Sequence, residues 1–263
     1  MKYSIITINY NNNKGLKKTL ESVARQSYSD FQYIVIDGGS KDGSAETIKE
    51  YAKYIDYWVS EKDKGIYHAM NKGIAQANGE YCLFMNSGDS FYDSYVLEKV
   101  AKLNCNEDIL VGKVVTMETK HQIFLPPLRE ISLYYLYSEN IPHQGTFIKT
   151  ELLRRYPYDE TLQIVSDWKF FVQTIIIDNC NFKYIDEFVS QFDMEGISTS
   201  NPERTWKEKE QVLAEIFPER VLADYRFMKA SECLTQTLTP QLRIRYSIDK
   251  LLFKLGSLLL KIL

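Results

Sequence analysis

Paired cysteines, clustered histidines, a large excess of one charge and a long unbroken apolar run are all missing from this sequence, and each absence removes a class of protein. The four cysteines, Cys82, Cys105, Cys180 and Cys233, are scattered with no CxxC pair. Neither a disulfide framework nor a thiolate metal site is therefore expected, and the thiols read as reduced. The three histidines, His68, His121 and His143, stand far apart and suggest no zinc constellation. Basic and acidic residues nearly cancel, 32 against 35, which leaves no general attraction for a nucleic-acid backbone. The opening run MKYSIITINY has no basic leader, long apolar core or small-residue cleavage site. The expected location is the cytoplasm.

What is present is enough apolar residue, 44% of 263, to bury one sizeable core. In the first half, β-branched and aromatic runs alternate with stretches of helical period, the pattern of β-α-β units around a mostly parallel sheet. An α/β fold follows. Strands are expected at Lys2 to Ile8, Tyr33 to Asp37, Tyr57 to Ser60 and Tyr81 to Met85, with a first helix whose apolar face is Leu16, Leu20, Val23 and Ala24 and further helices over Ala45 to Tyr54 and Ile66 to Ala77. Ligands of such sheets collect beyond the carboxyl ends of the strands, so chemistry is sought after Ile8, Ile36, Val59 and Met85. Beyond Leu103 the alternation loosens into a strand at Asp108 to Val115, a loop at Pro126-Pro127 and a polar cluster from His143 to Asp167. Helical patterns dominate after Pro202. In the tail 241–263, Ile244, Ile248, Leu251, Leu255, Leu258 and Ile262 fill one arc of a helix with Arg243, Lys250, Lys254 and Lys261 beside it. Such a basic amphipathic helix suits the surface of an anionic membrane or, equally on pattern, the protein core; its lysines interrupt it too often to span a bilayer.

Four polar segments carry candidate chemistry. In LFMNSGDSF, Asp89 follows a strand inside a tight turn, where a carboxylate either meets a metal beside a diphosphate or stabilises the turn. In VIDGGSKDGSAETI the glycines permit close backbone approach to a ligand, but the spacing is not GxGxxG and the dinucleotide fingerprint is absent. Asp37, at the strand end, is suited to accept a hydrogen bond from a base or a ribose. In SEKDKGIYHAMNKG, Asp63 and Lys64 surround a helix start able to receive phosphate oxygens. Asp167, in YDETLQIVSDWKFF, precedes an apolar helix as either a cap or a general base, since an ordinary aspartate of pKa about 3.9 is ionised at neutral pH.

Taken together in order, SIITINYN, IVIDGGSKDGS, SEKDKGIYHAMNKGIAQANGEY, LFMNSGD, HQGTFI, YDETLQIVSDW and GIST resemble glycosyltransferase family 2, and within it the colanic-acid or exopolysaccharide type of branch. The resemblance implies the GT-A nucleotide-sugar-binding fold, a Rossmann-like, mostly parallel central sheet with flanking helices. It implies a domain over 1–200, split into a nucleotide-sugar half, 1–103, and an acceptor half, 104–200, followed by a helical extension over 201–263. It implies inverting transfer from a nucleotide-diphosphate sugar, most simply a UDP-sugar, to a hydroxyl of a glycan or lipid-linked acceptor, with Mg²⁺ or Mn²⁺. By the same resemblance Thr7, Asn9 and Tyr10 border the nucleotide and Asp37 holds the base or ribose. Asp63, Lys64, Gly65, Asn71, Ser87 and Gly88 complete the donor side, Asp89 binds the metal, His143 and Gln144 face the acceptor, and Asp167 is the base. The chain departs from the family in three places: NSGD lacks the first acid of the metal motif and offers only Asp89, His68 stands for a usual acid, and Glu195 for a usual glycine. A nucleotide-sugar-binding protein of the same fold without turnover is the alternative. A nucleotidyltransferase is disfavoured, because TINYNNNKG poorly matches the glycine-rich basic loop it needs.

Overall fold

The computed structural model describes residues 1–116, 131–192 and 201–237. The Pro126-Pro127 loop, the GIST segment and the tail 241–263 lie outside these described residues.

β1 (Tyr3–Asn9) is buried at every position, as a strand covered on both faces must be. It lies parallel to β2 (Phe31–Asp37) on one side and to β4 (Tyr81–Phe84) on the other, and β2 in turn is parallel to β3 (Tyr57–Ser60). The connections are α1 (Asn13–Ala24), α2 (Ser44–Glu50) and α3 (Ile66–Gln76). After β4 come the two-residue β5 (Ser90–Phe91), α4 (Val96–Lys102) and β6 (Ile109–Thr116). Then follow α5 (Leu133–Ser138), β7 (Thr146–Lys149), α6 (Thr150–Arg155), α7 (Ser166–Phe171) and β8 (Phe182–Phe192). The eight-stranded sheet runs β3-β2-β1-β4-β7-β6-β8-β5. Its parallel half ends where β7 joins β4 antiparallel. Because β1 has β2 on one side and β4 on the other, the strand order reverses between β1 and β4, and a crevice opens outside their carboxyl ends.

The core lies under α1, whose buried Leu16, Leu20 and Val23 pack with Tyr3, Ile5, Tyr33 and Val35 of β1 and β2. On the opposite face α3 comes close to the sheet through Gly73, where a Cβ would stand 2.5 Å from Ile6 Cγ2.

Two expectations change. The helix foreseen over Ala45 to Tyr54 stops at Glu50, because the Tyr51 N–H is shared between the Thr47 and Ile48 carbonyls and tightens the last turn; Ala52–Tyr54 is a separate 3-10 turn. Strands β5, β7 and β8 were not foreseen. β5 is too short to show a period, and β8 mixes buried Ile185 and Val189 with exposed Lys183 and Asp186.

Two helices, α8 (Pro202–Ile216) and α9 (Glu219–Thr237), follow the sheet. The chain divides into compact units Met1–Lys209 and Glu210–Leu263. No helix among the described residues is long and apolar enough to cross a membrane.

Candidate active site

Asp167 occupies the first turn of α7, and its carboxylate is surrounded by donors from three parts of the chain. Oδ1 accepts the Trp168 N–H at 2.9 Å and the Tyr67 hydroxyl of α3 at 3.0 Å. Oδ2 lies 3.1 Å from His143 Nδ1. On its far side the His143 ring places Nε2 3.1 Å from Asn86 Nδ2. An amide nitrogen only donates, so Nε2 accepts, and Nδ1 carries the proton aimed at Asp167. Burial opposes the charge on Asp167, but His143 first and then Tyr67 and the Trp168 N–H outweigh it and hold the carboxyl below the usual carboxylate range. The side chain keeps 19% exposure, so the carboxylate is not sealed off from solvent. His143, foreseen on the acceptor side, is thus also the partner that orients Asp167. Gln144 follows it on the same 3-10 turn, 7% exposed.

The turn after β4 is fixed from α1. Thr19 Oγ1 lies 2.7 Å from the Asp89 carbonyl and accepts the Gly88 N–H at 3.0 Å, with Gly88 at φ 110°, a conformation that favours glycine. Ser87 closes the turn by receiving Asn12 Nδ2 on its carbonyl at 3.1 Å. Asp89 is 4% exposed. Among the described residues no group of three or more His, Cys, Asp or Glu is placed to hold a metal. Asn86 Oδ1, however, is buried without a hydrogen-bond partner, an arrangement that costs free energy unless something fills it. A carboxylate and an orphan amide oxygen are hard donors too few for a cation held by protein alone. They fit an Mg²⁺ or Mn²⁺ whose remaining ligands are diphosphate oxygens and water.

The donor-side residues divide into those that face the crevice and those that brace it. Tyr10 is 68% exposed. Its ring edge and Asp63 Oδ2 flank Gly38, 3.1 and 3.2 Å from where a Cβ would stand, so only glycine leaves this slot open. The other oxygen of Asp63 is bonded to Lys72 Nζ at 2.8 Å and to His68 Nδ1 at 3.3 Å. Lys64 and Gly65 are exposed at the start of α3, with Gly65 at φ 139° and open space around it.

Three foreseen contact residues are engaged as braces within the protein. Thr7 is fully buried, its hydroxyl donating to the Met85 carbonyl at 2.8 Å and lying 3.0 Å from the Tyr33 hydroxyl. Asp37 is also fully buried. It accepts Asn9 Nδ2 at 2.7 Å, Ser40 Oγ at 2.6 Å, the Ser40 N–H at 3.0 Å and Ser60 Oγ at 2.6 Å, so its lone pairs are spent on the protein. Asn71 bonds the backbone of Tyr158 through both ends of its amide, at 2.8 and 3.0 Å, and so ties α3 to the next loop. Asn9 remains a candidate contact, since its Oδ1 is buried and unpartnered. Sequence reasoning missed the roles of Tyr67 and Asn86. The only signals were an aromatic residue in the first helical turn and an amide in place of an acid.

The profile of glycosyl transferase family 2 matches residues 4–162, more than half of the chain. The chain belongs to glycosyltransferase family 2. An uncharacterized glycosyltransferase of Mycobacterium tuberculosis is 29% identical over 208 residues, covering 74% of this chain and 76% of its own. Among solved structures, S. aureus TarS 1–349 in complex with UDP-GlcNAc superposes with a TM-score of 0.68 at 20% identity, over 92% of this chain and 78% of that one. The chain spans 43% of the longer TarS structure. The mannosyltransferase PcManGT of Pyrobaculum calidifontis, in complex with GDP-Man and Mn²⁺, gives 0.60 at 17% identity, over 81% and 63%. The fold of this family 2 glycosyltransferase is the GT-A-like α/β fold that its sequence motifs implied. The family match stops at Leu162, so the placement of Asp167 stands on geometry alone.

Proposed function

We propose that this glycosyltransferase inverts configuration, passing a sugar from a UDP-sugar to a hydroxyl of a glycan or lipid-linked acceptor in exopolysaccharide or surface-glycan synthesis. The observation that carries the reading is the ionised, reachable Asp167, linked through His143 to the turn that holds Asp89. Asp167 takes the proton of the acceptor hydroxyl as that oxygen bonds to the anomeric carbon, and the bond from that carbon to the nucleoside diphosphate breaks on the opposite face. The Nδ1–H of His143 and the hydroxyl of Tyr67 hold the carboxylate in line without moving a proton themselves. On the donor side the exposed Tyr10 ring stacks on the base, and Asp63 Oδ2 accepts a base N–H beside the Gly38 slot. A uracil offers such a donor at N3, and the likeness to TarS with UDP-GlcNAc supports the same choice. Asp89 and Asn86 Oδ1 would hold Mg²⁺ or Mn²⁺, which supplies neutralisation of charge on the departing diphosphate. The NSGD and HQGTFI segments support placement in the exopolysaccharide branch, with donor chemistry in 1–103 and acceptor binding in 104–200.

Thermal stability in the presence of nucleoside diphosphates, with and without Mn²⁺, tests the donor reading. UDP with Mn²⁺ is expected to raise Tm, a ligand at 100 times its Kd adding about 2.7 kcal/mol. A flat response to every nucleoside diphosphate would sink it. We further propose that the tail 241–263 rests on the anionic inner face of the cytoplasmic membrane. The full chain should then sediment with anionic vesicles and a chain ending at Thr239 should stay in solution; equal sedimentation of the two removes the anchor.

A further inference from the structure

The segment that delivers Asp167 to its place, residues 163–166, is gripped from outside by α8. Glu208, 8% exposed, accepts the Ile164 N–H at 2.9 Å and the Gln163 N–H at 3.2 Å on Oε2. Arg204, one turn earlier on the same helix, caps Oε1 through Nε at 3.1 Å. Ile164 is held at its other end as well, because its carbonyl accepts the Tyr67 hydroxyl at 2.6 Å. That same hydroxyl lies 3.0 Å from Asp167 Oδ1, so its single proton is shared between the Ile164 carbonyl and the carboxylate. The next residue of α8 adds a second hold, with Lys209 Nζ 4.8 Å above the ring of Trp168, whose Nε1 donates to the Leu136 carbonyl at 2.7 Å. Two successive backbone donors converging on one buried carboxylate are more than a surface cap requires. They fix the height of the loop against Tyr67.

We infer that Glu208 is a positioning residue for the transfer reaction, setting the Asp167 carboxylate through Ile164 and Tyr67. It touches no substrate, and the inference rests on Asp167 being the base. Glu208 lies beyond residues 4–162, the stretch matched by the family profile. Misplacing a reacting group by about 1 Å costs up to roughly 10²-fold in rate, whereas donor contacts on the other side of the crevice are left alone.

The test uses the full chain carrying Glu208→Ala or Glu208→Gln. The alanine variant should lower kcat by about tenfold or more at nearly unchanged donor KM. The glutamine variant keeps an oxygen acceptor for the Ile164 N–H and should recover most of the loss. Hydrogen exchange at the Gln163 and Ile164 amides should accelerate in the alanine variant, and this readout does not depend on turnover. Retained protection of those amides overturns the contact; lost protection with normal kcat overturns the positioning role. A parallel rise in donor KM, with a kcat loss that tracks the unfolded fraction, would reduce Glu208 to a general structural part and overturn it too. Should the alanine variant not fold, Arg204→Met, which removes only the cap on Oε1, must show a smaller kcat loss in the same direction or the inference fails. If the wild-type chain binds UDP but transfers nothing to any acceptor, the assignment of Asp167 as base falls, while the exchange data still decide whether Glu208 holds Ile164.

Discussion

Replacing Asp167 with asparagine is expected to lower kcat by about 10²- to 10⁴-fold while leaving the donor-induced rise in Tm in place. The substitution keeps the shape of the side chain, and its Oδ1 still accepts from the Trp168 N–H and the Tyr67 hydroxyl. What changes is the link to His143. An amide nitrogen would face the Nδ1–H, so the imidazole must move its proton to Nε2, and Asn86 must then turn its amide. Asn86 can do so by turning its own amide, whose Oδ1 then faces Nε2–H and leaves Asp89, diphosphate oxygens and water to hold the cation, so donor binding persists. The network inverts and the fold survives, so the loss falls on chemistry. Single-turnover rates with bound donor measure it, and near-normal transfer by the variant would take Asp167 out of the mechanism. In the wild-type enzyme the carboxyl is held below its ordinary value, so acid conditions remove the base only beneath the usual carboxylate range. The acid limb of the rate profile should accordingly sit below about pH 4.

Asp37→Ala should be the most damaging change to stability, by about 3 kcal/mol, read from urea denaturation. Four donors converge on a carboxylate with no exposure, so water cannot take its place. Each buried donor left unpaired costs about 1 to 3 kcal/mol, and the two serine hydroxyls recover part of this by turning elsewhere. Burial alone would raise the Asp37 carboxyl, but Ser40, Ser60 and Asn9 together bring it below its ordinary value. A depressed folded-state pKa stabilises the protein fully above the unfolded value of about 3.9, and that contribution is lost as pH falls through the folded value. The variant should therefore lose less stability than the wild type on acidification below about pH 4. An unchanged midpoint in urea at neutral pH would contradict the bracing role.

The parallel half of the sheet was legible because β1, β2 and β4 are continuous apolar runs ended by polar turns, and Asn78-Gly79 marks the entry to β4. In the mixed half only β6 was legible, because β5, β7 and β8 take their pairing, antiparallel and parallel, from neighbours rather than from a pattern of their own. In the candidate site, motif position pointed to Asp63, Asp89, His143 and Asp167 but not to what each side chain faces. Asp37 ends a strand beside glycine and Asp63 stands in the turn three residues after one, and neither position says what its carboxylate faces. Only the fold reveals that serines saturate the first while Gly38 and Tyr10 leave an oxygen of the second beside an open slot. Tyr67 was invisible because its partners lie 97 and 100 positions away.

Helix α3 carries neighbouring residues that serve opposite sides of the crevice. Tyr67 reaches Asp167, the proposed base, and His68 and Lys72 reach Asp63 beside Tyr10. A shift of this stiff rod itself when nucleotide binds would be felt at Asp167, whereas slack in the 163–166 loop alone leaves the rod and the nucleotide side in place. Loading the nucleotide first would then settle the proton acceptor before the second substrate arrives, and the steady-state kinetics would show compulsory order.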